Sequence, residues 1–397
     1  MKRRDLLRSL GGVGAVTAVG RLLDPATAGG QSFPASSDRS ATDNLAGRLA
    51  ASIQKHKVPG ASAAVFRAGQ WEVAAAGVAN VTTGVDVTPE TVMHIGSITK
   101  VLMAQRLLRK SWYTLIEERI FKPLELQHSV VQPADALLHR ATVGHFLNKD
   151  GTNTRTSFAF LNPSFAPAGA TAMLAAKDLA TFALAHVNDG VGTNGYRLFS
   201  AASARRMRRQ TAVWRGIAGG GVGLGWMTFD KGIIGHDGGG PGIASWLFAD
   251  PAAKAVVAIL TNAAHGVPVL DEMTAPLFEA AGIAGAAKPL GLGLDAAELA
   301  KQATDTRVDP HPYVGQYESV ALVFRVIPHE EGIALRVRPK LLLYDGDTLE
   351  ESPPVPLRPI RDGHFMTGQG FVTFLNPGAD GRMQHLGSRR RLHKRSG

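Results

Sequence analysis

The stretch VTPETVMHIGSITKVLMAQRLL, Val87 to Leu108, decides how the rest of the chain is read. It opens on a turn at Thr88-Pro89-Glu90, runs through a short apolar segment from Thr91 to Ile95, and changes character at Gly96. Beyond that glycine, SITKVLMAQRLL has its apolar residues at helical spacing. Ser97 therefore heads a helix, and Lys100, three residues on, shares its face. A hydroxyl is a poor nucleophile until a neighbouring base takes its proton. An amine can be that base only while neutral, which requires burial or a second cation. First-turn placement also sets the serine oxygen, and any negative charge that develops near it, beside helical N–H groups with no partner within the helix. S-x-x-K alone is a weak signal; the preceding glycine, the strands before it and the apolar helix after it give it weight.

Working outward, apolar positions from Leu45 to His56 recur at helical spacing, and Pro59-Gly60 end that helix. ASAAVFRAGQWEVAAAGVAN reads as two strands joined at Ala68-Gly69-Gln70, where glycine permits a tight hairpin. Downstream of Leu108, SWYTLIEERI predicts a helix that stops near Pro123, followed by a loop-rich region from Ser129 to Gly169. AKDLATFALAHVND and SAASARRMRRQ predict two more helices, the second with Ser200 or Ser203 at its start. GLGWMTFD, KGIIGHDGG, ASWLFAD and KAVVAILTN are four short strands, and VLDEMTAPLFEAAG closes the unit as a helix. This order describes an α+β domain over 40–285, an antiparallel sheet flanked by helices with an inserted helical region. Residues 286–308 read as a linker. From 309 to 397 the pattern is all-β, with YVGQYES, LVFRVIPHE, GIALRVRP, LLLYDG, HFMTG and GFVTFLNP forming a small barrel or sandwich that ends in a basic tail.

VPGASAAVF, GVAN, VTPETVMHIGSITK, IEERIFKPLEL, APAG, the DLATFA helix, GLGW, GHDGGGPG, DP and LTN occur in an order that resembles the beta-lactamase and DD-peptidase-like serine hydrolases across about residues 45–285. The resemblance implies that Ser97 forms an acyl-enzyme with an ester, amide or β-lactam carbonyl, and that Lys100 helps remove its proton. The family's third motif corresponds to His236-Asp237-Gly238 on a strand lining the cleft. The resemblance further implies that the N–H groups of Ser97 and Gly239 form the oxyanion hole and that His236 helps set the field of the pocket. Glycines there have a physical reason, since a substrate carbonyl lies against strand backbone only where no Cβ intrudes. The YVGQY segment, Tyr313–Tyr317, resembles the start of the small barrel appended to many family members.

The family's second motif, Tyr-x-Asn or Ser-x-Asn, has no counterpart. Its place lies upstream of the helix that precedes PLEL, Pro123–Leu126, yet only eleven residues separate Lys100 from Trp112. None of the 5 tyrosines begins a Tyr-x-Asn triplet, and the nearest, Tyr113, sits on a helix where packing competes with a role as surrogate acid/base. Losing a positioned acid/base costs roughly 10²–10⁴-fold, so the expected activity is a weak serine hydrolase. Its alternative is a catalytically impaired relative whose groove binds peptide or acyl ligands. A reduced helical region is also expected to expose apolar faces.

Other chemistry is poorly supported. Cys 0 excludes a disulfide, a thiolate metal site and a cysteine nucleophile. His139 and His145 lack a carboxylate at ligand spacing, so no metal is expected. GGGVGLGW lacks the Lys-Ser/Thr end of a phosphate loop, and no GxSxG elbow is present. No cofactor is called for, and the partner expected is a small-molecule or peptide substrate, with oligomeric state left open. The formal charge of +10 is inflated at both ends, by Arg3, Arg4, Arg8 and Arg21 and by the tail GSRRRLHKRSG. That tail reads as a solvated, frayed end rather than a nucleic-acid contact, because no recognition module accompanies it. No clean apolar run is long enough to span a membrane. Residues 1–30, KRR followed by a Gly/Ala-rich weakly apolar segment and small residues, read as an export signal, with Arg3-Arg4 before Leu6-Leu7 suggesting the twin-arginine route. The alternative is an amphipathic helix interrupted by Arg8 and Arg21. An exported protein should have a mature terminus beyond about residue 30, and N-terminal sequencing checks it: an intact Met1 on a cytoplasmic form would reject export.

Overall fold

The computed structural model describes residues 44–103, 111–157, 159–160, 171–213, 221–284, 301–319, 322–330, 332–340, 349–361, 363–367, 370–388 and 391–397. The expected export signal, the APAG segment, the LLLYDG strand and most of the 286–308 linker lie outside them. Among the described residues no helix is long and apolar enough to cross a membrane.

The first body is built on a nine-stranded antiparallel sheet. Its strands run in the spatial order Val85–Asp86, Gln70–Asn80, Gly60–Arg67, Ala255–Thr261, Ile243–Asp250, Ile234–Gly240, Met227–Thr228, Gly221–Val222, Ala212–Val213. The hairpin at Gly69 forms as its sequence requires, with Ala68 and Gly69 both at positive φ, 49° and 82°. Central strands are apolar throughout because both faces are covered. Along Ala255–Thr261, Val256, Ala258 and Leu260 enter one core cluster while Val257 and Ile259 enter the other. Strand periodicity of two makes this division.

On the second face the opening helix Leu45–Lys55, capped by Asn44, buries Leu45, Leu49 and Ile53. It packs beside the closing helix Val267–Ala281. Glu272 of that helix accepts hydrogen bonds from Ser52 Oγ at 2.9 Å and Lys55 Nζ at 3.0 Å, and pairs with His56 Nε2 at 2.7 Å. The first face is covered by the buried helix Ala176–Val187 and by the remnant of the inserted region. That remnant is less regular than the two helices read from the sequence. Gly96–Ile98 is a 3₁₀ turn and the α-helix begins at Thr99, described as far as Met103. Trp112–Ile116 is α-helical, and Glu117–Phe121 widens into a π turn with Lys122 N–H donating to the Glu117 carbonyl. Helix Ala201–Arg208 starts at Ser200, whose hydroxyl accepts from Ser203 N–H.

The second sheet, also of nine strands, decides between barrel and sandwich. Val355 and Pro356 pair with Leu335 and Ala334, while Arg358–Arg361 pair with Met366–His364. One run, 355–361, thus serves both ends of the sheet, which is nearly closed and barrel-like. Its interior holds Tyr317, Phe324, Phe365, Phe374 and Leu386. The basic tail is not a frayed end. Arg391–Arg395 is a strand paired with Met383–Ser388 and Gly315–Glu318. Alternation along it turns His393 inward, 1% exposed, and leaves Leu392 at 51%. Arg395 lies over the Tyr317 ring, 5.4 Å from its centre. Arg395 Nη1 donates to Tyr317 Oη at 3.0 Å and to the Met383 carbonyl at 3.2 Å, and Nη2 donates to the Val314 carbonyl at 2.5 Å. The tail reads as solvated for want of a recognition module; strand pairing and these acceptors hold it in the sheet instead. Arg395→Ala is expected to destabilise by about 1.5–3 kcal/mol, the range for hydrogen bonds to a charged group, with Leu392→Ala within about 0.5 kcal/mol as an exposed control. Urea unfolding followed by circular dichroism measures both.

Candidate active site

The strand Ile234–Gly240 meets its outer neighbour only through Ile234 and Gly235. Among the described residues, no strand pairs with Asp237–Gly240 on the side away from Ile243–Asp250. The triple glycine therefore offers a backbone edge, and the turn carrying Ser97 packs against it. Two glycines set how closely. Gly96 has φ +53°, and a Cβ there would lie 2.7 Å from Gly239 N and 2.9 Å from Gly239 O. Gly238 is as crowded, since its Cβ would lie 2.1 Å from the Ile95 carbonyl oxygen and 2.3 Å from Ser245 Oγ. At Gly239 a Cβ would meet nothing within 4 Å. The two tight glycines allow the contact, and the third keeps the mouth open.

Lys100 Nζ donates to Ser97 Oγ at 2.6 Å, both side chains being part-buried. The 3₁₀ turn hands over to α-helix between them, so the S-x-x-K spacing still delivers the amine to the hydroxyl. For a neutral amine the hydroxyl proton runs the other way along the same line, which is the arrangement a general base needs. Ser97 N–H, near the start of this helical segment, belongs to the class of groups without an intrahelical partner.

His236 is 8% exposed and shares a strand face with Gly238, the face that looks toward Ile95. Its Nδ1 faces the Asp237 carbonyl and lies 3.7 Å from Asp237 Oδ1. A ring nitrogen facing a carbonyl carries the proton, so Nε2 is the basic atom of the neutral ring. Asp237 points to the opposite face of the strand and is part-exposed. Tyr113 is not brought into this group by any contact described. It stacks on Trp112 with ring centres 4.4 Å apart and lies against the first core cluster.

Residues that the sequence reading passed over hold this site. Ser245 Oγ donates to the Ile95 carbonyl at 3.1 Å from a fully buried position; its only sequence signal is a polar residue inside IASWLFAD. His94, three residues before Ser97, is pushed down to about 4 by burial, with Nε2 facing the Ala159 carbonyl at 2.7 Å. His145, weighed above as a metal ligand, instead accepts from Val81 N–H through Nε2 at 3.2 Å and donates from Nδ1 to the Asn262 carbonyl at 2.9 Å. His145 N–H also donates to the Gly242 carbonyl at 3.1 Å, tying the inserted region to the turn that ends the glycine strand.

The family profile described as Beta-lactamase matches residues 42–110 and 102–281. The chain is 32% identical over 252 residues to penicillin-binding protein 4 of Amycolatopsis lactamdurans, a match covering 59% of this chain and 62% of that protein. Among solved structures, SurE superimposes with a TM-score of 0.65 at 19% identity over 88% of this chain and 97% of its own. SurE has also been solved with D-Leu, with a TM-score of 0.63 at 18% identity over 88% and 98% of the two chains. An octameric penicillin-binding protein homologue from Pyrococcus abyssi superimposes at 0.52 with 15% identity over 88% and 100%. These structural likenesses carry the architecture, barrel included.

The glycine contacts yield a contrast. Gly238→Ala must displace the Ile95 carbonyl or the strand, a cost of about 1–3 kcal/mol, while Gly239→Ala enters open space and should leave the melting temperature within about 2 °C. Thermal unfolding of the two variants checks it; equal losses would reject the packing described.

Proposed function

Since the chain belongs to the beta-lactamase family, we propose that it is a serine hydrolase that acylates Ser97 and turns over activated esters better than amides or β-lactams. The observation that carries this reading is the 2.6 Å contact between Lys100 Nζ and Ser97 Oγ on a turn pressed against a glycine strand edge. Ser97 Oγ attacks the substrate carbonyl carbon as Lys100 takes its proton. The N–H groups of Ser97 and Gly239 receive the developing oxyanion. When the tetrahedral adduct collapses, the bond to the leaving group breaks and the acyl group stays on Ser97. Lys100 releases its proton to solvent as the leaving group departs; water then attacks the acyl carbonyl as Lys100 accepts a proton from it, and Lys100 returns that proton to Ser97 Oγ as the acyl bond breaks and the acid departs. Removing one oxyanion donor in such a site costs about 10²–10³ in rate.

The leaving group decides which substrates follow this course. A nitrophenolate departs without a proton, so nucleophile, base and oxyanion hole suffice. An amide or β-lactam nitrogen must be protonated as it leaves. Between Lys100 and Trp112 the chain has no Tyr-x-Asn to do this, and Tyr113 packs against Trp112. His236 is the remaining candidate on the cleft strand, as a donor through Nε2 only once that atom has been protonated. Because the relative is a penicillin-binding protein and a neighbour of the same fold was solved with D-Leu, esters ending in a D-residue are the first peptide class to compare. Export through the 1–30 segment would place this chemistry outside the cytoplasm.

An activated phosphonate is expected to add its mass to the peptide containing GSITK, and Ser97→Ala to abolish that adduct while the protein stays folded. The kcat/KM for a nitrophenyl ester is expected to exceed that for a chromogenic cephalosporin by about 10²-fold or more, with Lys100→Ala lowering both. Efficient cephalosporin turnover would show that the missing acid is replaced, and its loss in Tyr113→Phe or His236→Gln would identify the replacement. No adduct and no turnover would favour a binding groove over an enzyme.

A further inference from the structure

We infer that Ser245 is a positioning residue for the nucleophile turn: its buried hydroxyl, reaching through the gap left by Gly238, sets where Ser97 stands against the oxyanion edge. The inference rests on the acyl-enzyme reading of Ser97. Ser245 touches neither the nucleophile nor the expected substrate path. It is 0% exposed and lies on Ile243–Asp250, opposite Gly238 in register, one strand inside the edge.

The contact is specific. The Ile95 carbonyl accepts from Ile98 N–H at 3.2 Å, closing the 3₁₀ turn around Ser97, and from Ser245 Oγ at 3.1 Å. The first bond is internal to the turn and fixes its shape. The second joins the turn to the sheet and fixes its position. Gly238 must lack a Cβ for this second bond to exist, because that atom would fall 2.3 Å from Ser245 Oγ and 2.1 Å from the accepting oxygen. Ile95 also donates its N–H to the Ala172 carbonyl at 3.2 Å, so the residue is held from two sides.

The consequence follows from how the oxyanion hole is assembled. Its two N–H donors sit on different elements, Ser97 on the turn and Gly239 on the strand. Their separation is set by how the turn sits on the strand, and misplacement by about 1 Å can cost 10²-fold in rate. Loss of the Ser245 hydroxyl leaves the Ile95 carbonyl its bond to Ile98, so the turn persists while its anchorage to the sheet is lost. Substrate binding along the open edge is unaffected.

The test compares wild type, Ser245→Ala, Ser245→Cys and Ser245→Thr in nitrophenyl ester hydrolysis, with active sites counted by phosphonate labelling. Expected for Ser245→Ala is a fall in kcat per folded molecule of about 10–100-fold, KM within about threefold, and a melting temperature lowered by no more than about 4 °C. Ser245→Cys keeps the volume but donates weakly, so it should behave like Ala; Ser245→Thr keeps the hydroxyl and should recover most of the rate. Wild-type kcat in Ser245→Ala overturns the inference. So does wild-type behaviour in Ser245→Cys beside a damaged Ala variant, which would make the role one of packing. A wild-type protein that neither labels nor turns over ester rejects the acyl-enzyme reading itself, and the positioning role falls with it.

Discussion

The fold converges on the seat of one short turn, Ile95 to Ile98, upon the glycine strand. Gly96 is pressed to the Gly239 peptide on one side, and the Ile95 carbonyl is held by Ser245 beneath Gly238 on the other. Neither contact tolerates a Cβ, so two glycines without side chains, Gly96 and Gly238, control how the turn sits on the strand. The large antiparallel sheet holds the glycine strand through its pairing with Ile243–Asp250. The helix that follows the turn carries Lys100 back to Ser97. Catalytic geometry of this kind depends on elements far apart in the chain, here separated by 150 positions between Ile95 and Ser245.

The shortened helical region bears on this seat from outside. The two family-profile segments overlap at residues 102–110, where the interval before Trp112 is short. The core nevertheless remains filled beneath it: Ile98, Val101 and Leu102 meet Ile116, Ile120 and Phe121 in one cluster with the helix Ala176–Val187. The chain thus keeps the apolar floor on which the nucleophile helix rests. Apolar exposure is concentrated elsewhere in the insert, at Leu137 and Leu138, 88% and 83% exposed. No Tyr-x-Asn stands between Lys100 and Trp112, while Lys100 meets Ser97 beside the glycine backbone edge. That selective absence is why leaving-group chemistry is expected to separate the substrates.

Buried histidines show how a polar interior is kept neutral. His186 is held at about 3 by burial and then by the nearby Arg208 charge, and its Nδ1 accepts from Trp226 Nε1–H at 3.2 Å. His145 is likewise lowered, first by burial, and both ring nitrogens meet backbone groups. Each serves as a fixed neutral donor or acceptor between segments without the desolvation of a charge. In the barrel a different device operates: the Arg395 guanidinium meets an aromatic face, a phenol oxygen and two carbonyls.

By itself, the sequence determined the class of fold, the order of its elements and the Ser97–Lys100 contact, because these are local properties. Helical periodicity brings Ser97 and Lys100 together whatever else the chain does, and the GHDGGGPG strand announces a backbone edge through its glycines alone. The missing Tyr-x-Asn was also legible, as a count of residues between Lys100 and Trp112. Only the tertiary structure decided which glycine faces which backbone, that Ser245 anchors the turn, that His145 is a structural clasp, and that the basic tail is a strand inside the second sheet. Those outcomes rest on register between distant strands. A one-residue shift would turn Ser245 away from Ile95 and Arg395 out toward solvent, and no local pattern in either segment records the register that was chosen.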